Sequence, residues 1–308
     1  MQQLLIDRFR GLFLGVAVLE AHCHRQGNSH RNSTLAEGQD LPLPSEPWRW
    51  CEALAIGKSE VIAHSSQGQN EPPVPVLDPP SSEGDTELAI LMAQMLPAAL
   101  FYHENLPRLE EYICGHRLRG ARPDLQAEML GIGVAIALLC KEQASPQTLI
   151  PQLLAHDFLS GTNLHGQLQQ VQTLLQKQSS LSVVWREVNP EPASGISPLG
   201  TALAMACYCW SSTADTFALT VTRALTLPQS PTIAALIAGA LSSVFNGVHG
   251  IPLAWQRAFS THSGSRASIL AQADQLLGAW SGYLSYEAST LPLDKTAVSA
   301  PGVLRPRG

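Results

Sequence analysis

The chain is poor in charge. Asp, Glu, Lys and Arg make up only 14% of it, and a net charge of −6 with a pI near 5.9 leaves no positive field. Nucleic acid and anionic membrane surfaces are held by a local excess of Lys and Arg, so neither is an expected partner. Paired cysteine spacings are missing too. Cys23, Cys51, Cys114, Cys140, Cys207 and Cys209 are scattered, and the last four sit in apolar helical patterns, where Cys behaves as a small buried hydrophobe. That usage favours a reducing compartment, and a cytoplasmic location is expected. Long hydrophobic runs are absent: residues 131–140 and 196–210 fall short of the ~18–20 needed to cross a bilayer, so no membrane span is expected. Residues 11–19 behind Arg8 and Arg10 have the outline of a signal peptide. Glu20 and His22 spoil a small-residue cleavage site, and a buried first helix is expected instead. His22-Cys23-His24 with Cys51 offers zinc-type ligands, but neighbours on a helix diverge and no Cys-x-x-Cys or His-x-x-x-His spacing closes a site. A helix end is expected there.

What is present is helical punctuation. Between residues 107 and 210 no strand alternation appears, and Pro107, Pro123-Asp124, Ser145-Pro146 and Ser197-Pro198 mark helix starts. The strongest element begins at Ser230-Pro231. Ser230 is placed to cap a free N–H of the first turn, and Pro231 suits the first helical position. Ile233, Leu236, Ile237, Leu241, Val244 and Phe245 then recur at helical spacing. Ala235, Gly239 and Ser242 form a small-residue stripe for a close neighbour, and Asn246-Gly247 supplies a left-handed stop. Arg117, Arg119 and Arg122 form a basic cluster that could receive a phosphate, and a solvated helix end is the expected reading. Gln167 to Gln178 reads as a peripheral amphipathic helix, and about Ala267 to Tyr286 as the final one. With 45% apolar residues in 308, one domain over 1–289 is expected. Within it, 25–82 reads as a Pro-, Ser- and Gln-rich insertion over a cleft, with a short helix or clasp between Trp48 and Ile62. Residues 290–308 are expected to be a disordered tail.

Three stretches carry a resemblance. Thr232-Ile233-Ala234-Ala235, Ala238-Gly239-Ala240, Asn246-Gly247 and Ile251-Pro252-Leu253-Ala254-Trp255 resemble the last motif of the ADP-ribosylglycohydrolase family. Residues 7–18, with Gly11 and Gly15 four apart, are similar to its opening helix. Ser82-Glu83-Gly84-Asp85-Thr86-Glu87 resembles its Thr-Asp-Asp-Thr motif. The resemblance implies an all-α, orthogonal multi-helix bundle. It also implies a cleft in which two magnesium or manganese ions, held by aspartates of the first and last motifs, position the ribose of ADP-ribose and polarise its glycosidic carbon.

At those positions the chain departs from the family. Gly84 replaces the first aspartate of one pair, and Gln229 and Pro231 replace both of the other. Glu20 stands where the opening motif has Asp. Glu83, Asp85, Thr86 and Thr232 are what remains of the cleft, with Asp85 either a helix N-cap or a functional group. Two close divalent ions need several carboxylates, so no catalytic residue, bound metal or cofactor is expected. The expected function is a catalytically inactive, ADP-ribosylglycohydrolase-like pseudoenzyme that serves as a protein-binding or regulatory scaffold. The alternatives are a metal-dependent hydrolase with rearranged ligands, and a binder of ADP-ribose or a nucleotide that does not hydrolyse it.

Overall fold

A computed structural model describes residues 4–34, 49–66, 85–189, 197–262 and 265–282, with the main chain alone for 24–34, 66 and 260–262. The described residues form thirteen α-helices and no strand. In order they are α1 (Leu5–Thr34), α2 (Trp50–Ser66), α3 (Asp85–Phe101), α4 (Leu106–Glu110), α5 (Pro123–Cys140), α6 (Leu149–Leu154) and α7 (Asn163–Gln176). Then come α8 (Leu181–Val188), α9 (Pro198–Thr213), α10 (Phe217–Leu225), α11 (Pro231–Asn246), α12 (Leu253–His262) and α13 (Arg266–Trp280). A π-helical turn, Glu111–Arg117, follows α4.

The bundle is built around α11, which touches α1, α3, α5, α9 and α10. Every residue from Ile233 to Val244 is buried, because apolar side chains recur around the whole helix rather than along one stripe. Its neighbours approach closely where side chains are small. A Cβ on Gly11 of α1 would lie 2.3 Å from the Ser243 carbonyl oxygen, and one on Gly15 would lie 2.5 Å from Ser243 Cβ. A Cβ on Gly239 would meet Leu19 at 3.2 Å and Val221 at 3.4 Å. The helix stops at Gly247, whose φ of 62° lies in the left-handed region.

Several elements differ from the sequence expectation. The opening helix does not end near His22 but continues to Thr34, and the His22 ring stacks on Trp255 with centroids 3.9 Å apart. Arg8 donates to the Leu139 carbonyl and pairs with Glu142, and Arg10 meets both oxygens of Asp274 at 2.7 and 2.8 Å. These arginines fasten α1 to the end of α5 and to α13. The helix or clasp expected between Trp48 and Ile62 is the helix α2, which runs four residues further, to Ser66; its Trp50 is wholly buried and it packs on α3. Residues 35–48, 67–84 and 290–308, which include most of the expected insertion and the whole tail, lie outside the described residues.

Ser145-Pro146 forms a turn, in which the Thr148 hydroxyl accepts from the Ser145 N–H at 2.8 Å, and α6 begins only at Leu149. Gln167 is buried and donates to Thr201 Oγ1 at 2.8 Å, so α7 is more firmly tied to α9 than a peripheral helix would be. Arg117 is no solvated helix end. It is 3% exposed, pairs with Glu60 at 2.8 Å and donates to Gln94 at 2.9 Å, joining the π turn to α2 and α3. At 18 residues α5 is long and apolar enough to cross a membrane, beyond the shorter run read from sequence, but 83% of it is buried inside the protein.

Buried imidazoles make the fold acid-sensitive. His103 lies between Phe9 and Trp280 with Nδ1 2.6 Å from the Leu100 carbonyl, and burial lowers its pKa. Burial likewise lowers those of His64 and His116, whose rings are 4.9 Å apart. At these three imidazoles the unfolded chain therefore binds more protons than the folded one between about pH 6.5 and their depressed folded values. Their contribution to stability is complete above about pH 6.5 and is lost as pH falls towards the depressed folded values. The melting temperature should drop between pH 7 and pH 5.5, with a shallower slope in His103→Gln. A melting temperature that holds level or rises over that interval would contradict this.

Candidate functional site

The motif loops meet at the openings of α3 and α11. Asp85 begins α3 with Thr86 behind it, and Thr232 is the second residue of α11; all three side chains are half-buried. The Ser230 hydroxyl donates to Asp85 Oδ1 at 2.9 Å and so joins the two helix openings. Glu83 and Gly84, the remaining positions of the first motif, lie outside the described residues.

Ser230 does not act as the expected cap. Its φ and ψ are 44° and 43°, a left-handed conformation that costs a non-glycine residue about 1–2 kcal/mol, and its side chain makes no capping hydrogen bond. The twist turns the hydroxyl away from the first turn of α11 and onto Asp85. A carboxylate beside the amino end of a helix is favoured by the unsatisfied N–H groups and the macrodipole, and here Ser230 holds it there. Gln229 is engaged sideways, its Oε1 accepting from Asn189 Nδ2 at 3.4 Å.

Two further carboxylates are committed in the same way. Glu20, at the opening motif, is 6% exposed, and its two oxygens accept the main-chain N–H groups of Trp50 and Cys51 at 2.9 and 3.0 Å. It caps α2 from another helix. Burial first, and then this carboxylate, push the Cys51 thiol pKa up. Glu128 on α5 is 4% exposed and accepts from the Ser197 hydroxyl at 2.9 Å, and a Cβ on Gly200 would lie 2.7 Å from its other oxygen. It therefore lies against the first turn of α9. Sequence reasoning missed Glu128, although the repeated Ser-Pro at 197–198 and 230–231 was a signal. In each case the serine before the proline donates to a carboxylate from a different helix.

Among the described residues no group of three or more His, Cys, Asp or Glu side chains is placed to hold a metal ion. The Ile-Pro-x-x-Trp segment serves packing, with Trp255 stacked on His22 and edge-on to Phe217 at 5.9 Å.

No curated protein matches the chain. The family model for ADP-ribosylglycohydrolase matches residues 25–284, which takes in the two motif loops and leaves the opening-helix similarity at 7–18 outside it. With the match covering most of a chain whose described residues form helices and no strand, the protein belongs to the ADP-ribosylglycohydrolase family.

Proposed function

We propose that this member of the family has given up the hydrolase chemistry and acts as a binding scaffold, with a protein as its partner. The observation that carries the reading is the Ser230–Asp85 hydrogen bond. A dinuclear magnesium or manganese centre needs oxygen donors in number and negative charge to offset two close cations. The one described aspartate of the motifs already accepts a hydroxyl hydrogen, Gln229 offers a neutral amide, and Pro231 offers no donor. Glu20 faces α2, so it is turned to a helix end rather than to a shared ligand set. These donors do not fit the family's two ions.

Asp85 on this reading is a clamp between α3 and α11. Replacing it by Ala removes a charge-assisted hydrogen bond and a favourable charge at a helix start, and should cost about 1–2 kcal/mol in a denaturant melt. Millimolar manganese should leave the melting temperature of the unaltered protein where it was. A rise of several degrees with manganese, abolished by Asp85→Ala, would refute the reading.

A further inference from the structure

A concavity of about 750 Å³ opens between α6, α7, the turn into α8, α9 and α10, and none of its lining residues belongs to the motif loops. Its one charged side chain among the described residues is Arg223. The guanidinium sits over the Tyr208 ring, 5.3 Å from the centroid, and donates to the Tyr208 hydroxyl at 3.3 Å. That hydroxyl in turn donates to the Ser179 carbonyl at 2.5 Å. Tyr208 thus fixes the orientation of Arg223 from beneath, and among the described residues no carboxylate lies within ion-pair distance of it. Ser211, another lining residue, supplies a second unanswered group, a buried hydroxyl oxygen with no hydrogen-bond partner. Ser180, at the cleft edge, opens α8 without a side-chain cap.

A cation held in place without an anion, in a cleft whose lining also carries an unsatisfied hydroxyl, is an arrangement that gains from a bound oxyanion. The rest of the lining narrows the ligand. Gln147, Gln172 and Gln176 present neutral amides, while Ile150, Pro151 and Leu175 give an apolar wall for a carbon skeleton. The volume suits a small molecule. From this, the geometry points to a binding site for a small polyhydroxylated ligand carrying one phosphate or carboxylate, with Arg223 and Ser211 on the oxyanion and the glutamines on its hydroxyls. The site is independent of the motif loops, and the inference holds whether or not those loops hydrolyse anything.

The test is titration calorimetry on the full chain with ribose 5-phosphate, ribonate, inorganic phosphate and neutral ribose. Saturable binding of the phosphorylated or the carboxylated sugar is expected, with the tighter of the two naming the oxyanion, and ribose should bind at least tenfold more weakly. Arg223→Gln should weaken the tighter ligand by at least tenfold and Ser211→Ala by about fivefold. Because Arg223 also touches Tyr208, Gln176→Glu provides a variant at an exposed position. It sets a carboxylate into the same cleft and should weaken binding by at least tenfold with an unchanged melting temperature. If neither sugar acid binds, if inorganic phosphate and the sugar acids bind equally to the unaltered protein and to Arg223→Gln, or if Gln176→Glu leaves binding intact, the site is refuted.

Discussion

Gly11→Ala should unfold the protein far more readily than an added methyl group on a helix ordinarily would. Alanine is the better helix former, by about 1 kcal/mol, and at an open position the change stabilises. At Gly11 the new Cβ would lie 2.3 Å from the Ser243 carbonyl oxygen and 3.0 Å from Gly247 Cα. Both are main-chain atoms of the central helix and its stop, and neither can rotate away. The helices α1 and α11 must move apart, loosening the contacts on both sides of the seam. Overpacking of this kind costs about 1–3 kcal/mol and sometimes more, and a clash with rigid main chain belongs at the upper end. A loss of about 3 kcal/mol corresponds to a fall of roughly 4–6 °C in melting temperature for a chain of this length. Gly166→Ala is the matched control: it lies within α7 with nothing inside 4 Å of the added methyl. That variant should gain about 0.5–1 kcal/mol. Equal effects at the two positions would show that α1 does not rest on α11 as described.

Leu236→Ala should cost about 2–5 kcal/mol. Leu236 is wholly buried, midway along the helix that meets five others. Removing its branched end loses the transfer energy of the deleted atoms and leaves a cavity. The cavity walls belong to elements that are themselves packed on both sides, so little collapse can offset it. A chemical melt reading less than about 1 kcal/mol would place this helix outside the core.

How far the fold could be read in advance depended on whether a residue's role was local. The Pro231 to Asn246 helix, its Gly247 stop and the glycine pair at 11 and 15 announced themselves because periodicity, capping and small-residue spacing are written within one segment. The end of α1 was misjudged because His22 is held by Trp255, more than 230 positions away, and no local pattern reports such a contact. Arg117 was misread for the same reason, since its partners Glu60 and Gln94 come from two other helices. The candidate site was half legible. Asp85, Thr86 and Thr232 could be marked from motif positions, but a hydroxyl's choice between capping its own helix and donating to Asp85 turns on the left-handed twist at Ser230. Seen from the sequence, Glu20 was only an Asp substitute one methylene longer. That extra reach lets its two oxygens meet the first N–H groups of α2.

The clamp account of Asp85 stands or falls on catalysis. Purified protein should be incubated with peptides ADP-ribosylated on arginine and on serine, with magnesium or manganese in excess, and free ADP-ribose measured against a blank. The account predicts no release above the blank for either peptide, with Asp85→Ala indistinguishable from the unaltered chain in this assay. Metal-dependent release that disappears in Asp85→Ala would contradict it and make Asp85 a ligand rather than a clamp.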